Sequence, residues 1–171
     1  GHGYARVGSG ASGGIGPHVI IRFPGTIVFA VANGGIRTHP DTGRDKLNLD
    51  TMRPNLTIMD AQGAVADVAT LPGGLQQNSL RHIAAFPDGR VACAFQWQGD
   101  PFAAPSLVGV YAPNAGLTFL DTQELILRQL DGYAGSVAVL DDARMAVTYP
   151  RGGLLQVFDL RSGMGVILDQ M

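Results

Sequence analysis

A chain of 171 residues, 46% hydrophobic and 15% charged, has the length of one domain and enough apolar material for a buried core, which argues against a disordered chain. Its 24 Gly and 10 Pro argue against a helical bundle and fit many short strands joined by tight turns. A net charge of -2 with no Lys/Arg run argues against a nucleic-acid partner, and no apolar stretch approaches the roughly 18–20 residues of a membrane-spanning helix.

In chain order, Gly1-His2-Gly3-Tyr4 lacks the charged and apolar regions of a secretory signal, so the start reads as a processed or truncated end. Tyr4–Val7 reads as the outer strand of a preceding blade that ends within residues 1–16. Gly8-Ser-Gly10-Ala-Ser-Gly13 matches the spacing of a dinucleotide-binding turn, but it runs into Gly14-Ile-Gly-Pro17, where no helix can open toward a pyrophosphate. It reads as a linker.

Three segments then superpose: His18-Val-Ile-Ile-Arg-Phe-Pro-Gly25-Thr-Ile-Val-Phe-Ala-Val31, His82-Ile-Ala-Ala-Phe-Pro-Asp-Gly89-Arg-Val-Ala-Cys-Ala-Phe95 and Ser136-Val-Ala-Val-Leu-Asp-Asp-Ala143-Arg-Met-Ala-Val-Thr-Tyr149. Each is an apolar strand, a turn at Gly25, Gly89 or Ala143, and a second apolar strand. A third strand follows in each case, at Leu56–Asp60, Leu107–Tyr111 and Leu155–Asp159, and then a turn and a fourth, at Val65–Leu71, Leu117–Leu120 and Val166–Leu168. One helix is predicted, over Thr122–Leu130, capped by Asp121 or Thr122 and stopped near Gly132. Cys93 lies in an apolar run and reads as a core residue, with no second cysteine for a disulfide.

Four strands recurring three times predict an all-β chain, a β-propeller of four-stranded antiparallel blades at about 17–71, 81–120 and 135–169. Propellers close with 4 to 8 blades, so about three blades imply part of a larger ring, completed by remaining blades or by a second copy of the chain. Strands apolar on both faces fit sheets covered by neighbours on each side.

In such meanders the start of the first strand and the link between the second and third strands share one rim. His18, His82 and Ser136 are expected at equivalent places there, with the long polar link at 33–54, Trp97 and Arg151. A link of this length is far above the usual ~4–6 residues and marks the rim as the candidate binding face. The candidate ligand-binding residues are His18, Asn33, Arg37, His39, Asp41, Arg44, Asn48, Arg81, His82, Ser136 and Arg151. His18, His39, Asp41 and His82 are donors suited to Zn, Fe or Cu, although their spacing matches no compact metal motif. The competing roles are structural: the histidines bond a neighbouring blade's backbone, Asp41 caps the turn after Pro40, and the arginines pair with Asp41, Asp45 and Asp50 to order the link. No Ser-His-Asp triad or catalytic carboxylate pair assembles from the pattern, Ser136 and His82 included.

Gly14-Ile-Gly-Pro-His18, Val31-Ala-Asn-Gly-Gly-Ile-Arg-Thr-His-Pro-Asp41, Gly43-Arg-Asp-Lys-Leu-Asn-Leu-Asp-Thr-Met52, Arg81-His82, Tyr133-Ala-Gly-Ser136 and Pro150-Arg-Gly-Gly153 together resemble a bacterial family of exported propellers, domain of unknown function 1513. The resemblance covers essentially the whole chain. It implies a periplasmic location and a longer ring, since members are generally about twice this length with a twin-arginine signal, often encoded near imelysin-type iron-regulated proteins. It implies no established activity. The expectation is a non-enzymatic binding or interaction module for a small anion, a metal complex or a protein. The alternatives are a lactonase-like hydrolase with a metal held by His18, His82 and the Asp41 link, and a purely structural propeller.

Overall fold

The computed structural model describes residues 3–6, 8–43, 45–162 and 164–170. It is all-β, with three four-stranded antiparallel sheets built in chain order. The first contains β1 (Pro17–Arg22), β2 (Phe29–Asn33), β3 (Asn55–Met59) and β4 (Val65–Thr70). The second contains β5 (Asn78–Ala85), β6 (Val91–Trp97), β7 (Val108–Ala112) and β8 (Gly116–Phe119). The third contains β9 (Ser136–Val139), β10 (Arg144–Tyr149), β11 (Leu154–Asp159) and β12 (Met164–Gln170).

The near-continuous apolar character of the second strands has a direct cause in the packing. Along β6, Val91, Cys93 and Phe95 face a core shared with the first sheet, while Ala92 and Ala94 face a core shared with the third. The strand is buried on both sides, so its sequence cannot alternate. Cys93 is fully buried, as expected, and burial pushes its thiol up to about 12. At the inner edge β1 packs on β5 and β5 on β9, and β4 meets β8 farther out. This arrangement is consistent with blades of a partial propeller.

Each first hairpin closes with an equivalent backbone bond: Phe23 N–H to Val28 O, Phe86 N–H to Arg90 O and Leu140 N–H to Arg144 O. Gly25 and Gly89 turn the first two with φ of 70° and 90°. The third has no glycine at its tip; there the Asp141 carboxylate accepts from the Ala143 and Arg144 N–H groups and holds the turn itself.

These closing bonds correct the expected alignment. Counted back from them, His82 and Ser136 are equivalent, but their counterpart in β1 is Val19; His18 corresponds instead to Arg81 and Gly135. The first hairpin carries one residue more than the other two, and matching histidine to histidine hid it. The register confirms the shift. Pairing skips between Pro17 and Val19 in the first sheet and between Leu80 and His82 in the second, so His18 and Arg81 are the bulged residues of adjacent inner strands.

Two further expectations change. The helix, α1, is shorter (Glu124–Gln129), and its N-cap is Gln123 with no side-chain cap bond, rather than Asp121 or Thr122. Leu130 after it is buried in the core between the second and third sheets, so packing sets this segment more than capping does. Tyr4–Arg6 form no strand, and Val7 lies outside the described residues.

Candidate functional site

The strand directions place the start of β1, the 34–54 link, the 71–77 connection and the link after β6 on one rim, and the tight turns on the other. The long link is fastened to its own sheet. Gly34 and Gly35 donate to Gly16 O and Ile15 O at 2.9 and 2.8 Å, which ties its base to the segment before β1. Gly35 has φ of 76°, and a Cβ there would stand 2.7 Å from the Pro54 nitrogen, so the crossing requires glycine.

The expected Arg–carboxylate pairs do not order this link among the described residues. Asn48 does. Its Oδ1 accepts from the Arg37 N–H at 2.6 Å and its Nδ2 donates to Gly35 O at 2.9 Å, while Leu47 N–H donates to Arg37 O at 2.9 Å. One buried amide thus bridges both sides of the link, and Arg37's own side chain is left exposed. A fully buried Met52 and Gln77 Nε2, 3.2 Å from Leu49 O, anchor the far end. His39 and Asp41 form a local turn: His39 Nδ1 accepts from Asp41 N–H at 3.2 Å and lies 3.4 Å from its carboxylate. Arg44 lies outside the described residues.

Asn33 is not on the rim surface. It is fully buried, and its Nδ2 lies 2.9 Å from Ser12 O, 2.8 Å from Asn55 Oδ1 and 3.1 Å from Thr57 Oγ1. Asn55 Nδ2 reaches Gly13 O at 3.2 Å. The pair of asparagines holds the N-terminal linker against the first sheet, so the glycine-rich segment is a strap and not a phosphate loop.

At the inner edge of the rim the structure brings His18, Arg81 and His82 together. The imidazoles of His18 and His82 meet edge to face with centroids 5.4 Å apart. Burial and then the Arg81 cation hold His18 below its ordinary value; burial, then His18, then Arg81 do so for His82. Arg81 is half-buried, and its Nε has no hydrogen-bond partner among the described residues. Burial lowers its affinity for the proton, and the nearby Tyr133 opposes this. Tyr133, which bridges to Gln96, carries the Arg151 guanidinium 5.3 Å from its ring centroid. Arg151 in turn donates to Asp131 O at 3.1 Å, with the Asp131 carboxylate 3.9 Å away.

The four metal candidates therefore fall into two pairs, His18 with His82 and His39 with Asp41. No group of three or more His, Cys, Asp or Glu among the described residues is placed to hold an ion. No hydrogen bond joins Ser136 to His82 among the described residues. Trp97 donates its ring N–H to Asp100 O at 2.8 Å and packs on the second core. Tyr133 and Asp131 were not among the sequence candidates; the Tyr133-Ala-Gly-Ser136 motif was the available signal.

One family model matches residues 1–171 in full. The chain belongs to DUF1513, a family of proteins of unknown function. No curated protein matches it. Family membership thus agrees with the resemblance and leaves the activity to be argued from the rim.

Proposed function

We propose that this chain is part of a periplasmic propeller that acts as a binding module, without catalysis of its own, and takes its ligand on the rim carrying the 34–54 link. The observation that supports this reading most is the asymmetry of the rims. One side holds tight turns; the other holds a long link secured by the buried Asn48, which the sheets do not need for their own pairing. Ordering such a segment costs about 1–2 kcal/mol per residue in backbone entropy, which is hard to account for unless the rim is used. The export implied by the resemblance supports the periplasmic part of the reading.

The outer faces extend the proposal. Both interfaces between sheets inside the chain are built alike, and Ile20 on β1 and Val166 on β12 remain 58% and 56% exposed. Another four-stranded meander, packed as β5 packs on β1, covers each of these faces.

A small-molecule fragment screen followed by amide chemical-shift mapping tests the binding rim. Binders should move the amides of residues 15–19, 34–54 and 78–82. Reproducible binding confined to the turns around Gly63, Gly89 and Gly116 would overturn the assignment.

A further inference from the structure

Resting on the rim reading, we infer that Arg81, with His18 and His82, forms a site for a small oxyanion, a carboxylate or phosphate group, at the inner end of that rim. The other described arginines of this chain are either paired or exposed. Arg90, Arg128, Arg144, Arg151 and Arg161 each have a carboxylate within ion-pair reach, at Asp88, Glu124, Asp141, Asp131 and Asp159. Arg6, Arg22, Arg37 and Arg53 lack one among the described residues but are exposed, where water solvates them. Arg81 differs from both groups. It is half-buried, makes no ion pair and no side-chain hydrogen bond among the described residues, and its buried Nε is unpartnered.

Leaving a guanidinium partly desolvated and unpaired is unfavourable, and of the surrounding groups only Tyr133 offsets it. From β1 it faces His18, from β5 its neighbour His82, and from the segment before β9 the hydroxyl-bearing Tyr133, backed by the Arg151 cation. The carboxylate of this cluster, Asp131, is taken up by Arg151. The groups around the guanidinium fork are therefore two imidazoles and a phenol, each able to donate a hydrogen bond, and none of them is a carboxylate that could pair with it.

Position supports the same reading. Arg81 and His18 are the bulged residues of adjacent inner strands, and a bulge re-aims its side chain out of the regular pleat. The fold has turned the equivalent residue of two neighbouring sheets toward one place. A planar oxyanion meets the guanidinium bidentately there and satisfies its free N–H groups, while imidazole N–H groups complete the shell.

The test uses the folded chain with inorganic phosphate in one arm and acetate in the other, at constant ionic strength set with chloride. The imidazole carbon-bound protons of His18 and His82 are followed by NMR. Saturable shifts of both histidines are expected, with their titration midpoints rising as the anion binds. Arg81→Gln should weaken binding by roughly tenfold to a hundredfold, and Arg81→Lys, which keeps charge but loses the fork, by less. Arg22→Ala, exposed at the far end of β1 on the opposite rim, should leave binding unchanged. The arm that saturates at lower concentration identifies the group. Absence of saturation in both arms, or equal affinity in wild type, Arg81→Gln and Arg81→Lys, overturns the site. Fragments that still bind the rim in Arg81→Gln would leave the rim reading standing while the oxyanion assignment falls; a rim that binds nothing sinks both.

Discussion

His18 and His82 tie the chemistry of the inner rim to a property of folding that can be measured without any ligand. Both imidazoles titrate below 6.5 in the folded chain because burial and a nearby cation disfavour their protonated forms. The unfolded chain therefore binds protons first as pH falls. Stability should be full above about pH 7 and should decline as pH drops through 6.5 toward the folded values, then level off. Thermal melts across that window should show this decline in wild type and a shallower one in His82→Gln, which removes one of the two depressed imidazoles. Equal slopes would show that these histidines are not perturbed. Asn33 acts at the same scale by another route. Its Nδ2 joins Ser12 O to Asn55 and Thr57, so Asn33→Ala strands buried acceptors and should destabilise the fold by about 1–3 kcal/mol in denaturant unfolding. Protease access at Ser12–Gly14 should rise with it, because the strap loses its holder.

Among the elements, the 34–54 link separates what the sequence disclosed from what it did not. Its length and its place between β2 and β3 were legible, because hairpin periodicity fixes which connections share a rim. The residue that orders it was not. Arginines and aspartates within the link suggested ion pairs, yet exposed pairs contribute little, and the fold relies on the buried amide of Asn48 on the returning side, whose two ends hold the Gly35 and Arg37 backbone on the outgoing side. Asn48→Ala should therefore loosen the link alone. Hydrogen exchange at the Arg37 and Leu47 amides should quicken by roughly tenfold or more, with amides of β5 and β6 unchanged. Uniform quickening throughout would mean that the link and the sheets unfold as one unit. The inner strands carry a similar lesson. Their apolar pattern disclosed the three repeats, but a one-residue difference in the first hairpin is invisible when histidine is matched to histidine. Only hydrogen-bond register shows that His18 shares its place with Arg81, and that equivalence brings the guanidinium into the site.

In the molecule as a whole, the packing of β1 on β5 and β5 on β9 explains why β6 is apolar from Val91 to Phe95, and it leaves the first and third sheets each with one outer face. On these outer faces Ile20 and Val68 of the first sheet are 58% and 42% exposed, and Leu140 and Val166 of the third are 52% and 56% exposed. On the propeller reading proposed above, a further blade covers each of these outer faces. The sequence repeats alone make this need legible, because three similar hairpins cannot complete a ring that closes with 4 to 8. Multi-angle light scattering of the 171-residue chain over a wide concentration range tests it most directly. The blade arrangement predicts a mass that rises above 17.9 kDa with concentration, and charged substitutions at Ile20 and Val166 that return it to the monomer value. A mass fixed at 17.9 kDa throughout, unaffected by those substitutions, would contradict the claim that these sheets are blades awaiting neighbours.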